Sequence, residues 1–168
     1  MGLTWAARVT LTATPMTPNR ERPQPSRSGA SSTILAFDFG ERFIGVAVGD
    51  QTTRSAHPLT AIESRSEADR FAKIGRLIEE WRPGRLLVGE PVSSQGDRHP
   101  LADRVARFAR QLNGRFGLPV HRVDEQFTSV EATAQLSSMG RGGRSDKNLV
   151  HPMAACLILE AYLHEQSS

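Results

Sequence analysis

Residues 33–50 read TILAFDFGERFIGVAVGD, and this stretch decides the fold. Residues 34–37 are a short, uninterrupted apolar run, as expected of a strand buried on both faces. Asp38-Phe39-Gly40 follows, and Glu41-Arg42 supplies a tight turn. Residues 43–50 then predict a second strand, carrying Gly45 and Gly49. Two strands at hairpin spacing are antiparallel neighbours.

Working outward, residues 57–63 predict a third strand. Residues 66–81 place Phe71, Ile74, Leu77 and Ile78 at helical spacing, with Ser66 as N-cap and Pro83-Gly84 as the stop. Residues 85–89, nearly all apolar, predict a central parallel strand. A polar loop over 91–99 leads to a helix over 101–116, ended by Gly117. A fifth strand covers 119–123. A capping box from Thr128 to Glu131 opens a helix over 128–139. Residues 140–147 (GRGGRSDK) read as a mobile basic loop before a last helix over about 149–163. Three strands that fold back on each other, then two reached by helical crossovers, predict an α/β fold with a mixed five-stranded sheet and helices on both faces.

Residues 1–33 are rich in Pro, Ser, Thr and Arg without apolar periodicity, and are expected to be a disordered extension to a domain over 34–164. They hold Arg8, Arg20, Arg22 and Arg27 against Glu21, which accounts for the whole net charge of +3 over 168 residues. The rest of the chain is neutral, so bulk charge does not argue for nucleic acid; local clustering must. No apolar run is long enough to span a bilayer. The lone cysteine, Cys156, cannot form an internal disulfide, so the cytoplasm is the expected compartment. With no activating base nearby in sequence, Cys156 reads as a core residue.

Functional groups in such sheets collect where central strands end. Asp38 follows the first strand, Glu90 the fourth, and Asp124-Glu125 the fifth. Each alone has a duller explanation, as turn, cap or helix-dipole chemistry. Together they predict a carboxylate cluster, whose mutual repulsion a divalent cation relieves. Oxygen ligands suit Mg²⁺ or Mn²⁺, ions that reach phosphate oxygens and support phosphodiester cleavage. Arg141, Arg144 and Lys147 lie on the basic loop, where they are candidates to grip a phosphate backbone. That loop lacks the Gly-Lys-Ser/Thr ending of a P-loop.

The motifs Leu35 to Gly40 and Ile44 to Gly49 resemble the opening of the YqgF/RuvX family, described as Holliday-junction resolvases and as nucleases maturing pre-16S rRNA. The resemblance continues through Pro58-Leu59, Glu80 to Pro83, Val88-Gly89-Glu90-Pro91, Asp124 to Ala132, and Lys147 to Leu163. It implies an RNase H-like fold and a metal-dependent nuclease, with acids at Asp38 and Glu125. Three positions depart from the family pattern. Gln126 stands in place of an arginine, and Glu90 in place of a hydrophobic residue. His151 stands where the closing helix usually bears an aspartate. A neutral imidazole suits Mn²⁺ better than Mg²⁺, and can instead carry a proton near neutral pH. One expectation is that Glu90 compensates for the missing aspartate, giving a ligand set of Asp38, Glu125 and Glu90.

Three functions compete at this point. The first is a hydrolase acting on precursor rRNA, within ribosomal particles, or on branched DNA. The second is a non-catalytic nucleic-acid-binding relative in which Gln126 and His151 mark a decayed site. The third, an actin-like ATPase, needs two such domains and more chain than 168 residues. A junction resolvase requires two sites and hence a homodimer, whereas an rRNA processor works as a monomer.

Overall fold

The computed structural model describes residues 31–91, 100–124 and 144–166. The elements are β1 (Thr33–Phe39), β2 (Phe43–Asp50), β3 (Ser55–Glu63), α1 (Glu67–Trp81), β4 (Arg85–Glu90), α2 (Ala102–Phe116), β5 (Val120–Asp124) and α3 (Arg144–Glu165). The strands form one sheet in the order β3-β2-β1-β4-β5. β1 pairs antiparallel with β2 and parallel with β4, and β4 pairs parallel with β5. This is the mixed five-stranded sheet the sequence predicts. The predicted helix over 128–139 lies outside the described residues.

β1 runs further than its apolar core. Asp38 and Phe39 continue the ladder, opposite Gly45 and Ile44, so Asp38 sits on a strand rather than in the turn. The turn is confined to Gly40–Arg42. A side chain at Gly40 would place its Cβ 2.4 Å from the Phe43 carbonyl oxygen, so the reversal admits only glycine there. The folded unit also starts slightly earlier than position 34. The Ser32 hydroxyl bonds the Asp50 carboxylate, and the Gly84 N–H donates to the Thr33 carbonyl at 2.9 Å.

The helix ends follow local chemistry. Ser66 accepts from the Asp69 N–H at 3.1 Å to cap α1. Arg82, disfavoured in the α region by Pro83, turns to φ 45° and ends it. Gly117 at φ 65° ends α2. α3 begins at Arg144, so the basic segment expected as loop through Lys147 is helical from 144 onward. Between Gly143 and Pro152 nothing breaks a helix, Ser145 and Asp146 suit a first turn, and extending a docked helix costs less than nucleating one. Pro152 therefore falls inside the helix, where it cannot donate to the Asn148 carbonyl.

The strand period of two sorts the sheet into two faces. Leu35, Phe37, Ile44, Val46, Leu86 and Val88 pack against α1 and α2 around Phe108. Ile34, Ala36, Ala47, Leu87 and Val123 pack against α3. Cys156 belongs to this second core. Burial, reinforced by Glu160, pushes its thiol up to about 11, which makes it an inert packing residue. Among the described residues no helix is long and apolar enough to cross a membrane.

Candidate active site at the end of the central strand

Asp38 shares parity with Ile34 and Ala36, so its side chain faces α3. It lies at the C-terminal end of β1, the central strand. Burial pushes its carboxyl up to about 6. No hydrogen bond or ion pair from the described residues offsets that burial. A desolvated carboxylate without a partner is unfavourable, and a bound cation is the direct remedy.

The opposite position on β2 is Gly45. A Cβ there would lie 1.8 Å from the His151 carbonyl oxygen, 2.3 Å from its carbonyl carbon and 3.1 Å from its Cα. All three are backbone atoms, so the helix cannot yield by rotating a side chain. Gly45 therefore lets the α3 backbone at His151 rest directly on β2, the strand that pairs with β1 at Asp38. The His151 ring stacks on Phe43 at a centroid distance of 5.3 Å and an interplanar angle of 16°. Half-buried, the imidazole is pushed below its usual range by desolvation, which favours its neutral form.

Glu90 goes elsewhere. It shares parity with Leu86 and Val88, which face α1 and α2. Its carboxylate accepts from Arg122 Nη1 at 3.2 Å, and in register it lies opposite Asp124. The parallel pairing of β1 with β4 brings their ends together, but pleating sends Asp38 and Glu90 to opposite sides. The expected compensation by Glu90 would thus have to reach across from the other face of the sheet. Counting strand ends finds the acids but does not assign their faces; the apolar run of β4 gives no alternation from which to read them.

Glu125, Gln126 and Arg141 lie outside the described residues, as do the side chains of Arg144 and Lys147. Among the described residues no group of three or more His, Cys, Asp or Glu side chains converges. Two residues now at the site carried little sequence signal for it. Phe43 read only as the start of a strand. Gly45 was visible as a glycine inside a strand, a pattern that often marks close backbone approach.

The family model described as "RuvX: Holliday junction resolvase" matches residues 32–165. The chain belongs to the RuvX family. A relative from Paraburkholderia phymatum, named "Putative pre-16S rRNA nuclease", is 46% identical over 136 residues, covering 81% of this chain and 87% of that protein. One of the same name from Burkholderia lata is 47% identical over 143 residues, covering 83% and 96%. The structure of T. thermophilus RuvC in complex with Holliday junction substrate matches with a TM-score of 0.50 at 16% identity, over 81% of this chain and 97% of that one. That likeness concerns the fold, which is RNase H-like. In this RuvX chain the match begins at Ser32, one residue before β1, and ends at Glu165, the last residue of α3.

Proposed function

We propose that the chain is a nuclease that hydrolyses phosphodiester bonds during maturation of the 16S rRNA 5′ end. The observation that carries this reading is Asp38: a carboxylate desolvated at the end of the central strand, without a partner among the described residues, and facing a helix seated directly on the neighbouring strand. The names of its relatives select the substrate class.

A divalent ion fits this donor. Asp38 offers hard oxygen in a setting where ionisation is costly without a cation, which suits Mg²⁺ or Mn²⁺. Glu125, which follows β5 directly in sequence, is proposed as the second ligand on the strength of the family motif Asp124 to Ala132. When bound, the ion would neutralise charge on the phosphodiester and acidify water. His151 presents a neutral imidazole able to take up a proton, its ring held by Phe43. Arg141, Arg144 and Lys147 remain proposed contacts to the nucleic-acid backbone. The setting is cytoplasmic, where precursor rRNA is found, and a monomer suffices.

The family model's description favours a second reading, a Holliday-junction resolvase. Cleavage of a 5′-extended 16S precursor fragment and of a four-way DNA junction, side by side in Mg²⁺, Mn²⁺ or EDTA, separates the two. The expected result is metal-dependent RNA cleavage lost in Asp38→Asn. Junction cleavage alone would establish the second reading. No cleavage of either, with RNA binding retained, would mark a non-catalytic relative.

A further inference from the structure

Phe39 follows Asp38 and points to the other side of the sheet, where it lines a cavity of about 210 Å³ at the same strand end. The cavity lies between the N-terminal halves of α1 and α2. Its charged lining is Arg70, Arg104 and Arg107 against Glu41 and Glu67. We propose that it grips a backbone phosphate flanking the scissile bond, so that the nucleic acid crosses the sheet edge from Asp38 to the α1/α2 face. The proposal rests on the nuclease reading and deepens it.

The three arginines are held differently. Arg70 is fixed, donating to the Ser64 hydroxyl and the Glu41 carbonyl at 3.2 Å each, with its guanidinium 5.4 Å from the centre of the Phe39 ring. Arg104 pairs with Glu41, yet its side chain is 60% exposed. Arg107 is 68% exposed and reaches Glu67 only at 3.7 Å. Glu67 already accepts from Arg115 at 2.9 Å and from Gln111 at 2.8 Å, so it keeps two donors if Arg107 turns away. Exposed pairs of this kind exchange readily for a doubly accepting phosphate, to which guanidinium binds through two parallel bonds. The fixed Arg70 forms the floor, and Arg104 and Arg107 supply the recruitable cations. A phosphate matches this lining better than a base, because three guanidinium groups face two carboxylates there and two of the three are more than half exposed. The site is not the one formed by Asp38 and His151, from which the sheet separates it.

The test measures binding of the 16S precursor fragment by the full chain in an Asp38→Asn background, across a salt titration. Adding Arg104→Ala and Arg107→Ala should weaken binding about tenfold at low salt. It should also flatten the log–log salt slope by about 1–2, the signature of lost phosphate contacts. With Asp38 intact, the double variant should raise KM by a similar factor and change kcat by less than about twofold. Glu41→Gln, which frees Arg104, should tighten binding. That opposite sign keeps the test sharp if the double variant folds poorly. Arg82→Ala, at the far end of α1, should change nothing. Unaltered affinity and slope in the double variant, alongside normal RNA binding by the parent, would overturn the phosphate site and leave the nuclease reading standing. Failure of the wild-type chain to bind or cleave RNA would instead remove the nuclease reading, and this inference with it.

Discussion

The two faces of the sheet are built on different principles. Against α1 and α2 the strands present large side chains, among them Leu35, Phe37, Ile44, Val46 and Val88, and the helices stand off on a layer of interdigitated rings around Phe108. Against α3 the strands present small residues, Ala36, Gly45, Ala47 and Gly49, beside Ile34, Leu87 and Val123; at Gly45 the helix lies on the strand backbone itself, and at Gly49 the Leu159 side chain fills the space. A layer of large side chains can absorb small changes by shifting rotamers. Backbone seated on backbone cannot. The face carrying Asp38 is therefore the more rigid one where α3 crosses β2, which would suit the fixed geometry that the proposed metal-binding role of Asp38 needs. The other face ends in exposed, exchangeable ion pairs suited to holding a flexible strand.

The largest expected effect comes from Asp38→Asn, which tests whether the rigid face holds a cation. Cleavage should be lost while the metal-free protein becomes more stable. The folded-state carboxyl titrates near 6, against 3.8 in the unfolded chain, so the folded state holds this proton more tightly. The native state is unpenalised below about pH 4. It loses stability as pH rises toward 6, then carries a constant deficit. Asn removes that deficit, so chemical denaturation should give a gain of up to about 3 kcal/mol at pH 7 and almost none at pH 3.5. A loss of stability at pH 7 would show that Asp38 already has a stabilising partner.

Gly45→Ala attacks the seating of α3. Overpacking of this kind costs about 1–3 kcal/mol, and activity should fall further than the folded fraction, because His151 is displaced from Asp38. Gly75→Ala, on the softer face, is the comparison. Its Cβ would meet only the Phe116 ring at 3.5 Å, so stability and cleavage should hold. Equal effects from the two would dissolve the contrast between the faces.

Mn²⁺ or Mg²⁺ at about a hundred times its dissociation constant should raise stability by about 2.7 kcal/mol in the wild type and by far less in Asp38→Asn. Phe43→Leu should cost about 0.5–1.5 kcal/mol from the lost ring contact, and should lower cleavage by freeing the imidazole; melting curves and initial rates check both. The smallest effect is Glu90→Gln. Its partner Arg122 lies on the opposite face from Asp38, and both groups are partly exposed. Stability should move by less than about 0.5 kcal/mol, and metal-dependent cleavage should be retained.

Much of this was legible in order along the chain. Apolar runs, a glycine-bounded turn and a Ser66 cap were enough to place five strands and two helices. The family motifs pointed to Asp38 before any coordinates. What the linear pattern could not carry was facing. β1 and β4 are apolar throughout because both their sides are buried, so alternation vanishes where the site lies. Glu90 thus looked equivalent to Asp38 although pleating separates them. The start of α3 was hidden for a different reason: Arg144 to Lys147 follow Gly140, Gly142 and Gly143 and read as part of that glycine-rich run, although nothing in them breaks a helix.

By itself, then, the chain's sequence determined its five strands, the first two long helices, the hairpin pairing of β1 with β2 and the identity of the acid at the end of the central strand. These depend on local spacing and on residue chemistry, which survive in one dimension. Only the tertiary structure decided which acids share a side, that the glycine opposite Asp38 is filled by helix backbone, and that an arginine-lined cavity backs the same strand end. Those are contacts between residues distant in sequence, set by which surfaces must pack together to leave water.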